Sequence, residues 1–87
     1  MTDRDTTGLS LYQYNFCPFC MITRRAIKSL NLDIEIRDTL KEPAYRQELI
    51  EEGGMSQVPC LRIEENGSVE WMYESADIIK YLNQRFG

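Results

Sequence analysis

Leu9-Ser10-Leu11-Tyr12-Gln13-Tyr14-Asn15-Phe16-Cys17-Pro18-Phe19-Cys20 is the stretch that decides how this 87-residue chain folds. Its first six residues alternate and are rich in strand formers, so Leu9–Tyr14 reads as a strand. The run then enters two cysteines that enclose Pro18 and Phe19. Proline suits the first position of a helix, where its missing N–H costs nothing and its fixed φ is already correct. From Pro18 to Leu30 the pattern is helical, with Cys20, Thr23, Ile27 and Leu30 on one face and Met21, Arg24, Arg25 and Lys28 on the other. That register predicts Cys17 at an exposed tip and Cys20 facing inward.

A Cys-x-x-Cys at a strand-to-helix junction carries redox chemistry for a physical reason. The first sulfur lies beside the free N–H groups and the positive end of the helix, which favour thiolate over thiol. Cys17 is the candidate nucleophile, and Cys20, one turn later, the thiol that resolves a mixed disulfide. Structural zinc wants four ligands, whereas the chain offers this pair, one further cysteine, Cys60, and no histidine. A thiol-disulfide centre is therefore expected and a metal is not. Three cysteines, one closely spaced pair among them, suit a cytosolic redox or metal protein better than a disulfide framework.

Outward from this centre, residues 1–8 lack periodicity and read as a flexible tail, and residues 9–87 as one domain. Asn31 can end the first helix, and Leu32, Ile34 and Ile36 alternate with Asp33 and Glu35 as a second strand, a parallel crossover from the first. A second helix is predicted from Pro43 to Glu52, stopped by Gly53-Gly54, with Tyr45 and Leu49 spaced i, i+4. Cys60–Glu64 and Val69–Met72 read as strands joined by a hairpin, since Asn66-Gly67 provides the positive φ values of a type I′ turn. Ser75 is the expected cap of a last helix, with Asp77 in its first turn and Ile79, Leu82 and Phe86 inside. The predicted order is β-α-β-α-β-β-α. Val58-Pro59, directly before the third strand, is compatible with a cis bond that presents the Val58 backbone to a neighbouring site.

A net charge of −4 and a sequence pI near 4.7 argue against a nucleic-acid or anionic-membrane surface, because neutralising phosphates requires a basic face. No apolar run approaches the ~20 residues that span a bilayer, so no membrane partner is expected. Hydrophobic residues at 43% and charged residues at 28% are the balance of a folded globular domain.

Two motifs together resemble the glutaredoxins, over Leu9 to about Phe86. Cys17-Pro18-Phe19-Cys20 looks like the family's Cys-Pro-Tyr-Cys centre, and Gln57-Val58-Pro59 stands where the family has Thr-Val-Pro, whose cis-proline and preceding valine hold the cysteinyl part of glutathione. Tyr14 replaces a lysine common three positions before the first cysteine, and the usual Gly-Gly-x-x-Asp after the hairpin is absent. Tyr73-Glu74-Ser75 there looks like the Glu-Ser pair of the glutathione S-transferase N-terminal domain, which puts the chain nearest the transferase-like branch of glutaredoxins.

The resemblance implies a thioredoxin-like α/β fold, a four-stranded mixed sheet flanked by three helices. It implies a glutathione-dependent disulfide oxidoreductase, with Cys17 and Cys20 catalytic and Phe19, Gln57, Val58, Pro59, Glu74 and Ser75 binding glutathione. The expected partners are glutathione and glutathionylated or disulfide-containing proteins, met by a monomer in the cytoplasm. Two other readings stay open: a carrier holding a [2Fe-2S] cluster through Cys17 and bound glutathione, and a thioredoxin-like domain served by a dedicated reductase. Cys60 is either a small apolar filler or a third redox group.

Overall fold

The computed structural model describes residues 5–87. Its elements are β1 (Leu9–Gln13), α1 (Pro18–Ser29), β2 (Glu35–Asp38), α2 (Pro43–Glu48), β3 (Cys60–Glu65), β4 (Ser68–Met72) and α3 (Ser75–Phe86). The strands form one sheet in the order β2-β1-β3-β4, with β1 parallel to β2 and the other pairings antiparallel. This mixed sheet with three helices is the thioredoxin-like arrangement expected from the motifs.

β1 is central, so all five of its residues are buried and both of its faces are covered. Leu9 and Leu11 join Leu61 and Ile63 of β3 on one face, where Ile27 of α1 and Ile78, Leu82 and Phe86 of α3 complete the main core. Tyr12 and Cys60 point to the opposite face and pack with Leu49, Tyr45, Val58, Trp71 and Tyr73. There the Tyr12 hydroxyl bonds Glu48, and Arg37 donates to both, at 2.7 Å to Tyr12 and 2.8 Å to Glu48. β1 thus fixes α1 on one side and the second half of the chain on the other, and its end delivers Cys17.

The hairpin turn is as predicted, with Asn66 at φ 52° and Gly67 at φ 81°. The second strand is shifted from its expected position. Asn31 adopts φ 56°, its N–H bonds Lys28 O and that of Leu32 bonds Ile27 O, a left-handed helix cap that also packs Leu32 against Ile27. Leu32 is therefore part of the cap, and the ladder begins only where Glu35 faces Ser10. The second helix runs as expected to the glycine pair, but beyond Glu48 it widens into a π turn, Leu49–Gly53.

At α3 the cap is Glu74, not Ser75, and Ser75 is the first helical residue. The inner face is correspondingly Ile78, Leu82 and Phe86, spaced by four, with Ile79 half-buried beside them. Part of the expected tail, residues 1–4, lies outside the described residues. Within its remainder, the Thr6 hydroxyl donates to Asp33 O at 2.6 Å and Gly8 O accepts from Glu64 N–H at 2.9 Å.

Candidate functional site

Cys17 is the N-cap of α1, with extended φ and ψ of −84° and 119°. Its Sγ accepts the Cys20 backbone N–H at 3.3 Å and faces the Val58 carbonyl at 4.0 Å. The expected exposed tip is not what forms, since Cys17 is only 5% exposed. The physical reason is the capping role itself, which turns the sulfur back over the first turn and under the Val58-Pro59 segment. That peptide bond is cis, and Pro59 is buried.

Cys20 lies one turn inside the helix and is fully buried, as its place on the inner face predicted. Burial, and then the bond with Cys17, push its thiol up to about 12. Cys60 is likewise fully buried, and its thiol is also pushed up to about 12, by burial. It packs between Tyr12 and Leu49, which is the surrounding of an apolar filler. Both thiols therefore stay protonated around neutral pH. Alkylation of the folded protein with iodoacetamide should accordingly modify Cys17 first. Cys20 and Cys60 should react only once the chain is denatured, or as the pH nears 12. Mass spectrometry of digested, native-labelled protein checks this, and early label on Cys60 would contradict its buried, protonated state.

A cleft opens beside Cys17, lined by Phe19, Gln57, Val58, Pro59, Tyr73, Glu74 and Ser75. All six residues expected to bind glutathione line it, although they come from α1, the approach to β3 and the start of α3. Tyr73 completes the wall. The Glu74 side chain makes no capping bond to α3, so it leaves the first-turn N–H groups of that helix available where Glu74 and Ser75 meet the cleft. A larger hollow between β4 and α3 adjoins it through Tyr73 and Glu74.

Two residues went unrecognised in the sequence. Tyr73 enters the sequence reading only as the neighbour of Glu74-Ser75, and nothing in the spacing of the chain announces that it reaches the connector before Gln57. Phe16 occupies the position where an apolar side chain often staples to the fourth residue of a helix, here Met21. It is 88% exposed and Met21 is 46% exposed, so no staple forms and an aromatic ring stands free beside the nucleophile.

The model of the family described as "Glutathione S-transferase, N-terminal domain" matches residues 11–87. The chain belongs to this family. Membership agrees with the transferase-like Tyr73-Glu74-Ser75 motif and with the thioredoxin-like sheet. This transferase-type domain is similar in structure to maleylacetoacetate isomerase from Anaeromyxobacter dehalogenans, solved with bound GSH in its active site, at 27% identity and a TM-score of 0.70. An epsilon-class glutathione S-transferase from the housefly, Musca domestica, aligns at 27% identity and a TM-score of 0.69. Both alignments cover 91% of this chain, but only 38% and 35% of those longer proteins. The thioredoxin-like protein BC3987 aligns at 26% identity and a TM-score of 0.67, covering 87% of this chain and 96% of its own. Among curated proteins no relative matches.

Proposed function

We propose that this domain is a glutathione-dependent thiol-disulfide oxidoreductase that reduces protein-glutathione mixed disulfides, and protein disulfides, through Cys17 and Cys20. The observation that carries the reading is the cleft itself: six residues of three separate segments line one hollow, and one of them, Val58, has its carbonyl 4.0 Å from the Cys17 sulfur. A bound GSH in the structurally similar isomerase supports it further.

In this reading Glu74 pairs with the ammonium of the γ-glutamyl end of glutathione. The Ser75 hydroxyl and the open N–H groups of α3 receive its α-carboxylate. The backbone of Val58, presented by the cis bond to Pro59, holds the cysteinyl part. Phe19, on the first turn of α1, keeps the rim apolar, and Gln57 flanks the other side. Held this way, the ligand presents only its sulfur to Cys17, and that positioning supplies much of the rate.

Cys17, at the N-terminus of α1 with its sulfur facing the Cys20 N–H, attacks as the thiolate on the glutathione sulfur of a protein-glutathione disulfide. A new bond joins Cys17 to glutathione, the old S–S bond breaks, and the protein leaves as a thiolate that takes up a proton. A second glutathione thiolate then attacks the glutathione sulfur on Cys17. Oxidised glutathione departs and the Cys17 thiolate is restored. The proposed setting is the cytoplasm, where glutathione keeps such thiols reduced. Because one chain builds the whole cleft, the proposed working unit is a monomer.

The transferase and isomerase neighbours favour a second reading, conjugation or isomerisation of a glutathione adduct. The test is turnover of a glutathionylated peptide with glutathione as reductant, run beside conjugation of an aromatic electrophile. Deglutathionylation at a rate well above background, with negligible conjugation, is the expected result. The reverse pattern would sink the oxidoreductase assignment in favour of transfer.

A further inference from the structure

The two walls of the cleft are held in different ways. Glu74 and Ser75 sit at the start of a helix that is packed into the core along its length. Gln57 and Val58 lie in a connector, residues 54–59, that belongs to no strand or helix. One side chain joins the two. Tyr73, immediately before Glu74, reaches across to this connector, where its hydroxyl accepts the Met55 N–H at 3.3 Å and donates to the Met55 carbonyl at 3.2 Å. The Cys60 thiol is a further hydrogen-bond neighbour of the same phenol.

Room for this arrangement comes from Gly53. A Cβ at that position would collide with the Tyr73 hydroxyl and lie 2.9 Å from the Trp71 ring. The last residue of the π turn is therefore bare where the phenol passes. Tyr73 also lines the cleft itself, between Pro59 and Glu74.

We propose that Tyr73 is a positioning residue that sets the width of the glutathione cleft, by holding the Gln57-Val58 wall at a fixed distance from the Glu74-Ser75 wall. The inference rests on the glutathione reading above and deepens it. Tyr73 bonds neither Cys17 nor the Cys20 N–H that faces it, so its effect falls on ligand binding and leaves the sulfur chemistry intact.

The test is Tyr73→Phe in the full chain. The ring still fills its space, both bonds to Met55 are lost, and thermal denaturation verifies folding. The KM for glutathione should rise about three- to tenfold, the scale of one or two neutral hydrogen bonds, with kcat held within about twofold. Gly53→Ala displaces the same hydroxyl from the other side and should raise KM similarly, and the double variant should be no worse than the weaker single. Amide hydrogen exchange at Met55, Gln57 and Val58 should quicken in Tyr73→Phe even without ligand.

Unchanged exchange at those amides would overturn the strut. So would an unchanged KM in folded Tyr73→Phe, or a fall in kcat alone, which would move Tyr73 into the sulfur chemistry. A wild type with no saturable dependence on glutathione would instead overturn the glutathione reading, while the exchange result would still report on the strut.

Discussion

Cys17→Ser abolishes turnover of a glutathionylated peptide, with a fall of at least about a thousandfold in kcat/KM. A serine hydroxyl is not ionised near neutral pH and forms no disulfide, so neither half of the exchange has a nucleophile or a leaving group. The fold is unaffected. Cys17 caps α1 by accepting the Cys20 N–H, and serine is a preferred residue for that position, so the melting temperature should hold or rise slightly. The variant also separates the two functional readings, because a hydroxyl can still hydrogen-bond a glutathione thiol and support conjugation. Steady-state assays of both reactions on one preparation decide it. Residual deglutathionylation by Cys17→Ser would mean that another thiol is the nucleophile.

Where one rule governs a segment, the sequence was legible. Proline at the first helical position and the i, i+3, i+7 spacing of Cys20, Thr23 and Ile27 predict α1 and its buried face. Asn66-Gly67 predicts its turn because few other pairs accept two positive φ values. The lining of the cleft was legible by resemblance, since Gln57-Val58-Pro59 and Glu74-Ser75, distant in the chain, come together around one hollow.

Misreadings occurred where two local rules competed. Leu32, Ile34 and Ile36 alternate like a strand, yet Leu32 is held by Ile27 in the helix cap, because Asn31 turns left-handed. Ser75 is a good capping residue, yet Glu74 takes the cap and Ser75 enters the helix. In both cases the chain turns one residue or more away from where side-chain preference alone sets the boundary. The burial of Cys17 and the reach of Tyr73 depend on parts of the chain 41 and 18 residues away, contacts that periodicity in a short window does not report.

Cys20→Ser should divide the two activities that Cys17 starts. Reduction of a protein-glutathione mixed disulfide needs only Cys17 and one free glutathione per turnover, so the variant should keep kcat/KM within several-fold of the wild type. Reduction of an intramolecular protein disulfide differs. Attack by Cys17 leaves the protein tethered to it, and release needs a second thiol positioned at the new bond.

In the proposed reading Cys20 is that thiol: its backbone N–H touches Cys17 Sγ, and as a neighbour in one helical turn it would act at a high effective concentration. Its own thiol is pushed up to about 12, first by burial, so it stays protonated in the resting protein and leaves first attack to Cys17. The variant should lose at least about a hundredfold in this reaction and accumulate a covalent Cys17-substrate adduct visible by intact mass. The serine hydroxyl can still find the Tyr14 backbone that Cys20 bonds now, so the buried site need not hold an unpaired polar group. Equal loss of both activities in a folded Cys20→Ser protein would show that Cys17 depends on Cys20 even for glutathione exchange, and would end the single-thiol route. Equal retention of both would show that glutathione itself resolves the protein adduct, and would leave Cys20 a buried helix residue with no catalytic part.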